Sequence, residues 1–204
     1  MVRPVLAAVA ALAFSGPALA HHAMDGATPS SLLEGVLSGI GHPVIGLDHL
    51  AFIIAAGLLA APRARAWLLP LAFVVASFAG SLLHLARVDL LGGETLIAGS
   101  VVIMGLLLVS LRRIGDHPFA ALLGLAGLLH GHALAETIIG AEPTPLVAYL
   151  GGLAVTEYAI AAAAVFGWRL LSRAWQDTMP RLDRIAGAAV TAVGAVTLVL
   201  NLAG

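Results

Sequence analysis

Residues 42–49 read HPVIGLDH, set inside an otherwise apolar run over residues 32–61. The run exceeds the roughly 20 residues that carry a helix across a bilayer. It nonetheless holds two imidazoles and a carboxylate within eight positions, where each ionisable group costs several kcal/mol. His42, Asp48 and His49 are therefore functional candidates, because packing alone does not account for three such groups so close together. On a straight helix His42 and His49 face the same way, and Asp48 lies about a third of a turn off that face. Asp48 becomes a ligand if Pro43 or Gly46 distorts the helix; otherwise it orients His49 as a hydrogen-bonding partner.

The rest of the chain supplies the same solvent. Of 204 residues, 60% are hydrophobic and 10% charged, against about 25% charged in soluble domains. So little polar surface cannot solvate a globule. The chain reads as an all-α, polytopic integral membrane protein whose surroundings are the lipid bilayer. A net charge of -1 offers no basic surface, so no nucleic acid partner is expected. The absence of cysteine excludes disulfides and thiolate metal sites. No Gly-x4-Gly-Lys-Ser/Thr loop is present to bind a nucleotide.

Residues 1–20 read as a cleaved signal peptide. Arg3 precedes a short apolar stretch over residues 5–14, Gly16-Pro17 breaks it, and Ala18-Leu19-Ala20 fits the small-x-small cleavage rule. The mature chain then begins His21-His22, and residues 21–204 form one membrane domain. Six apolar segments are predicted as transmembrane helices: 33–61, 66–86, 93–111, 118–140, 144–168 and 184–203. Small residues at spacing four, such as Gly187, Thr191 and Ala195, let such helices approach closely. Arg63 and Arg65, Arg112 and Arg113, and Arg169, Arg173, Arg181 and Arg184 fall in alternate loops, which marks those loops as cytoplasmic. The expected location is the bacterial cytoplasmic membrane, with the mature N-terminus in the periplasm.

Further ionisable groups fall within or beside the segments: His84, Glu94, His130, His132, Glu136 and Glu157. His132 and Glu136 are four apart and share a helix face, while His130 points nearly the opposite way. A straight helix cannot aim both histidines at one ion. Imidazole and carboxylate without sulfur suit nickel, cobalt or zinc. The candidate metal ligands are His42, Asp48, His49, His130, His132 and Glu136. The candidate pathway residues are His21, His22, His84, Glu94 and Glu157. Plainer roles stand beside these: an interhelical hydrogen bond for His84, a solvated first-turn acid at Glu94, a protonated acid bonded to a hydroxyl at Glu157, and a loop acid at Glu142. Asp116 reads as a helix N-cap ahead of Pro118, next to His117.

HPVIGLDH followed by LAF resembles the His-x5-Asp-His signature of the HupE/UreJ family of nickel permeases. LHGHALAE, residues 129–136, is similar to that family's second signature, with Leu129 where Phe is frequent and Ala135 where Gly is usual. ETLIAGSV, starting at Glu94, is also similar, as are the signal peptide and the six spans. The resemblance implies a secondary permease, not an enzyme. It would carry Ni2+ or Co2+ as cargo from periplasm to cytoplasm for hydrogenase or urease maturation, with no resident cofactor. On this reading His21 and His22 capture the ion first. It then loses water to His42, His49 and His132, with Asp48 and Glu136 neutralising charge. The site opens outward above a tightly packed inner half. The membrane potential supplies about 4.6 kcal/mol per divalent ion at 100 mV. Ligation needs neutral imidazoles, so uptake weakens below about pH 6.5. Other readings are an intramembrane zinc hydrolase and a non-transporting metal sensor. A serine protease is disfavoured, because Ser77, Ser81 and Ser100 lack a Gly-x-Ser-x-Gly context. The oligomeric state stays open.

Overall fold

The computed structural model describes residues 28–90, 92–111 and 114–203. The expected signal peptide, His21, His22, Arg112 and Arg113 lie outside the described residues. Among the described residues seven α-helices follow one another: α1 Leu32–Ile45, α2 Leu47–Ala60, α3 Leu69–Leu85, α4 Gly93–Ser110, α5 Asp116–Leu134, α6 Pro143–Ala174 and α7 Met179–Ala203. A 3-10 turn, Ala135–Ile138, extends α5. No strand occurs among the described residues.

Four helices (α4, α5 with its turn, α6 and α7) are long and apolar enough to cross a membrane, and α1 with α2 makes a fifth span if the bent pair counts as one. α3 is apolar but has only 17 residues. Each predicted segment therefore has a helical counterpart, although α3 falls short of the usual spanning length. α6 runs beyond the predicted end at residue 168, because good helix formers continue past the apolar stretch. Hydropathy marks where the hydrocarbon layer ends, not where the helix does.

The first segment departs most from expectation. It is not one helix over 33–61 but two, bent by 78°. Pro43 lacks the N–H that would bond the carbonyl one turn back, and Gly46 adopts an extended conformation with ψ near 99°. The Gly46 N–H still reaches His42 O at 3.1 Å, so α1 closes there and α2 starts afresh at Leu47. A helix started inside an apolar bundle exposes unbonded N–H groups, which must find partners. Asp48 supplies one, its Oδ1 accepting from His49 N at 2.8 Å. Asp116, by contrast, is not a cap. Gly115 holds that position, and Asp116 Oδ1 accepts from Arg63 Nη1 at 2.8 Å.

Glycines set the helix pairing and its direction. A Cβ on Gly127 would meet the Phe73 carbonyl, and one on Gly131 would fall inside the backbone of Ser77. α3 and α5 therefore run parallel in near backbone contact. α1 and α2 run the same way as α6, with Gly35 against Pro145, Gly39 against Tyr149 and Gly57 against Ala161. α4 and α7 are antiparallel, with Gly105 against Thr191 and Gly187, and Gly194 against Val102. Gly187 and Thr191 of the predicted small-residue stripe thus make the contact, and Gly194 rather than Ala195 completes it.

At one end of the bundle, two arginines bind backbone. Arg63 Nε donates to Leu59 O at 3.0 Å, its Nη1 donates to Ile114 O at 2.9 Å, and its guanidinium lies 4.5 Å from the Phe119 ring centre. Arg169 donates to Ala61 O and to Arg63 O, both at 2.9 Å. The loop after α2 is thereby tied to α5 and α6.

Candidate metal centre

The break after α1 carries two of the motif's side chains into the interior, where α5 meets them. His42, Asp48 and His49 are buried, and His130 is fully so. His49 Nδ1 lies 2.7 Å from His130 Nδ1, with ring centres 4.8 Å apart. Two imidazoles sharing an ion at about 2.1 Å hold their nitrogens about 3 Å apart at a right angle, and their ring centres about 5 Å apart. His49 and His130 already have that spacing. His42 does not, since its ring centre is 6.4 Å from that of His49.

The hydrogen bonds determine which ring nitrogens carry protons. Ser100 Oγ donates to Ile97 O at 2.7 Å and also lies 3.0 Å from His130 Nε2. The hydroxyl proton is thus committed, and His130 Nε2–H donates to Ser100. A neutral His130 then has its lone pair on Nδ1 and accepts from His49 Nδ1–H. That leaves the His49 lone pair on Nε2, 4.0 Å from Asp48 Oδ1. The same logic applies at His42. Tyr149 OH donates to Leu134 O, so His42 Nδ1–H donates to Tyr149 OH at 2.9 Å, with Thr137 Oγ1 at 3.1 Å. In this hydrogen-bonded arrangement both motif histidines carry their lone pairs on Nε2; an ion between the two Nδ1 atoms would take the place of the shared proton, with the His49 proton then on Nε2, toward Asp48. Phe52 and Phe73 stack at 5.1 Å and lie 4.6 and 5.5 Å from the His130 ring, giving the pair an apolar floor.

The predicted ligands do not gather into one site. Among the described residues, no three His, Asp or Glu side chains stand close enough to hold one ion. His42, Asp48, His49 and His130 lie around the break. His132 instead joins His84 at the C-terminal ends of α3 and α5, Nδ1 to Nδ1 at 3.1 Å, and its Nε2 donates to Val88 O at 2.7 Å. His130 and His132 thus have different partners, as a straight helix requires, and it is His130 that faces the motif. Glu136 is exposed in the 3-10 turn that follows α5, and its charge reaches the same His84 that His132 meets. Glu94 is exposed in the first turn of α4, Glu142 is exposed at the start of α6, and His117 is exposed beside a partly buried Asp116. Glu157 is buried and bonded to Ser77 Oγ at 2.7 Å.

Sequence reasoning missed Tyr149, Thr137, Phe52 and Phe73, and weighed Ser100 only as a nucleophile, not as the partner of His130. Tyr149 left a readable sign, as one of only two tyrosines and one lying in an apolar stretch, where its hydroxyl needs a partner.

No solved structure matches the chain. Protein HupE of Rhizobium leguminosarum bv. viciae is 31% identical over 193 residues, covering 94% of this chain and 95% of that one. A profile of the family described as HupE / UreJ protein matches residues 9–197. That match takes in the broken first span, the His130 segment and all the side chains that orient them, and the chain belongs to the HupE/UreJ family.

Proposed function

We propose that the chain is a secondary permease importing Ni2+ from the periplasm to the cytoplasm, with Co2+ as a second cargo suited to the same donors. The observation that carries this reading is the His49–His130 pair, with nitrogens 2.7 Å apart at the break of a discontinuous span. Broken spans that expose helix ends near mid-membrane are the usual way transporters build ion sites. The family's association with nickel and cobalt supply agrees with this. Loading requires His42 to approach the pair by about 1.5 Å, which would complete a nitrogen site with Asp48 offsetting charge. The helix directions support six alternating crossings, since α3 and α5 run parallel and α4 and α7 antiparallel, and the loop arginines favour the cytoplasm for the side they share. The serine-protease reading loses further ground, because the Ser100 proton goes to Ile97 O and not to His130, the reverse of an activated nucleophile.

In a strain lacking other nickel and cobalt importers, expression should raise accumulation of radiolabelled nickel, with excess unlabelled nickel competing better than excess cobalt. Accumulation no higher than in cells with empty vector overturns the proposal.

Gly46 offers a finer test. A Cβ there would stand 2.7 Å from His49 Cδ2, so Gly46→Ala should push the ring off His130. Nickel uptake is expected to fall about tenfold, with the protein level on immunoblots unchanged.

A further inference from the structure

Glu157 sits deep in α6, 1% exposed. Its Oε1 accepts from Ser77 Oγ at 2.7 Å, while Oε2 meets no hydrogen-bond partner among the described residues. A buried carboxyl with one oxygen left open is costly to maintain unless positive charge visits it.

Its neighbours fix its depth. α6 runs alongside α1 and α2 in the same direction, with Tyr149 beside Gly39 and Ala161 beside Gly57. Glu157 therefore falls one turn before the Gly57 crossing, level with the turn of α2 that follows His49. On α3, its partner Ser77 lies one turn after Phe73, whose ring is 5.5 Å from His130. Ser77 also packs directly against Gly131, the residue after His130. Two turns of α6 separate Glu157 from Tyr149, which holds His42. The acid thus lies beside the histidine pair, farther along the bundle than His42.

We propose that Glu157 is a second station for the transported ion. A divalent cation leaving the His49–His130 pair is received by Glu157 Oε2, with the Ser77 hydroxyl as a neighbouring oxygen. The inference rests on the permease reading above and adds to it a path. Transport needs sites that bind well enough to accept an ion and weakly enough to release it. Imidazoles suit nickel and cobalt, whereas carboxylate oxygen is the harder ligand, better matched to magnesium, calcium or manganese. A lone carboxylate after a nitrogen site is therefore a downhill step in grip. It also supplies the negative charge that two neutral imidazoles lack.

The test separates binding from passage. Glu157→Gln keeps the shape and can still accept from Ser77 through its amide oxygen. Full-length protein is titrated with Ni2+ by calorimetry in detergent and assayed for Ni2+ entry in proteoliposomes. Glu157→Gln is expected to bind Ni2+ as the wild type does but to admit it about tenfold more slowly or worse. His49→Ala should lose both. Normal entry through Glu157→Gln overturns the second station and leaves the permease reading standing. Loss of binding together with entry also overturns it, because the acid then belongs to the first site. A wild type that neither binds nor admits Ni2+ removes the permease reading itself. Should Glu157→Gln fail to accumulate, Ser77→Ala decides the matter, with slowed entry and intact binding expected and unchanged entry overturning the proposal.

Discussion

Replacing His49 by alanine is expected to abolish nickel uptake while the protein accumulates normally. Among the described residues, His49 both belongs to the α1–α2 break and touches α5 through a nitrogen, at 2.7 Å. Its loss removes one donor outright and leaves the His130 Nδ1 lone pair in a buried space without its hydrogen-bond donor. A drop of about a hundredfold is expected, the upper range for losing a group that orients or ligates a metal. His130→Ala should match it. His132→Ala should cost less, since that ring lies with His84 instead, and Glu142→Ala should cost little, since that acid is exposed. Radiolabelled uptake normalised to immunoblot level ranks the four, and full uptake in His49→Ala would remove the site at its centre.

That ranking separates what the sequence could and could not say about the site. Three ionisable groups in eight apolar residues pointed to His42, Asp48 and His49 directly. The choice between His130 and His132 could not be read there, because a helix wheel gives relative directions and says nothing about which face meets which neighbour. Only the close α3–α5 contact, which sends His132 to His84, decides it. The role of Asp48 was half legible. Pro43 and Gly46 announced a distortion, but that Asp48 would bond the first N–H groups of a new helix depends on where the break falls. Glu136 stays on the side of His84 and His132, as the spacing of four suggested, but the wheel could not show that it would be exposed there. The helices themselves were legible because hydropathy follows the bilayer. Their ends in water were not, because nothing about solubility stops a helix at the hydrocarbon edge.

Gly131→Val is expected to prevent folding. A Cβ at Gly131 would overlap the Cα and carbonyl carbon of Ser77, and backbone atoms on two packed helices cannot turn aside as a flexible side chain can. α3 and α5 would have to separate. That would break the Ser81 Oγ bond to Gly131 O at 2.9 Å and disturb the Ser77 bond to Glu157. Overpacking of this kind costs about 3 kcal/mol or more. The detergent-solubilised variant should melt far below the wild type or fail to elute as a single species in size-exclusion chromatography. Gly124→Val on the same helix provides the control, because nothing lies within 4 Å of a Cβ there. Equal behaviour of the two variants would refute the close α3–α5 contact.

All ten basic residues are arginine, and no lysine occurs anywhere in the chain. At Arg63 the reason is geometric. Its Nε and Nη1 reach Leu59 O, Ile114 O and Asp116 while its plane covers Phe119. A lysine would carry the same charge through membrane insertion, when cationic loops are retained on one side, but its ammonium has no planar fork to serve several fixed acceptors at once. On the proposed topology Arg63 therefore acts twice in the life of the chain. During synthesis it is an address label, read only as charge. After folding it is a rivet, read by shape. An Arg63→Lys protein would insert the right way round and then hold its loop loosely, so that orientation and closure, normally inherited together, come apart.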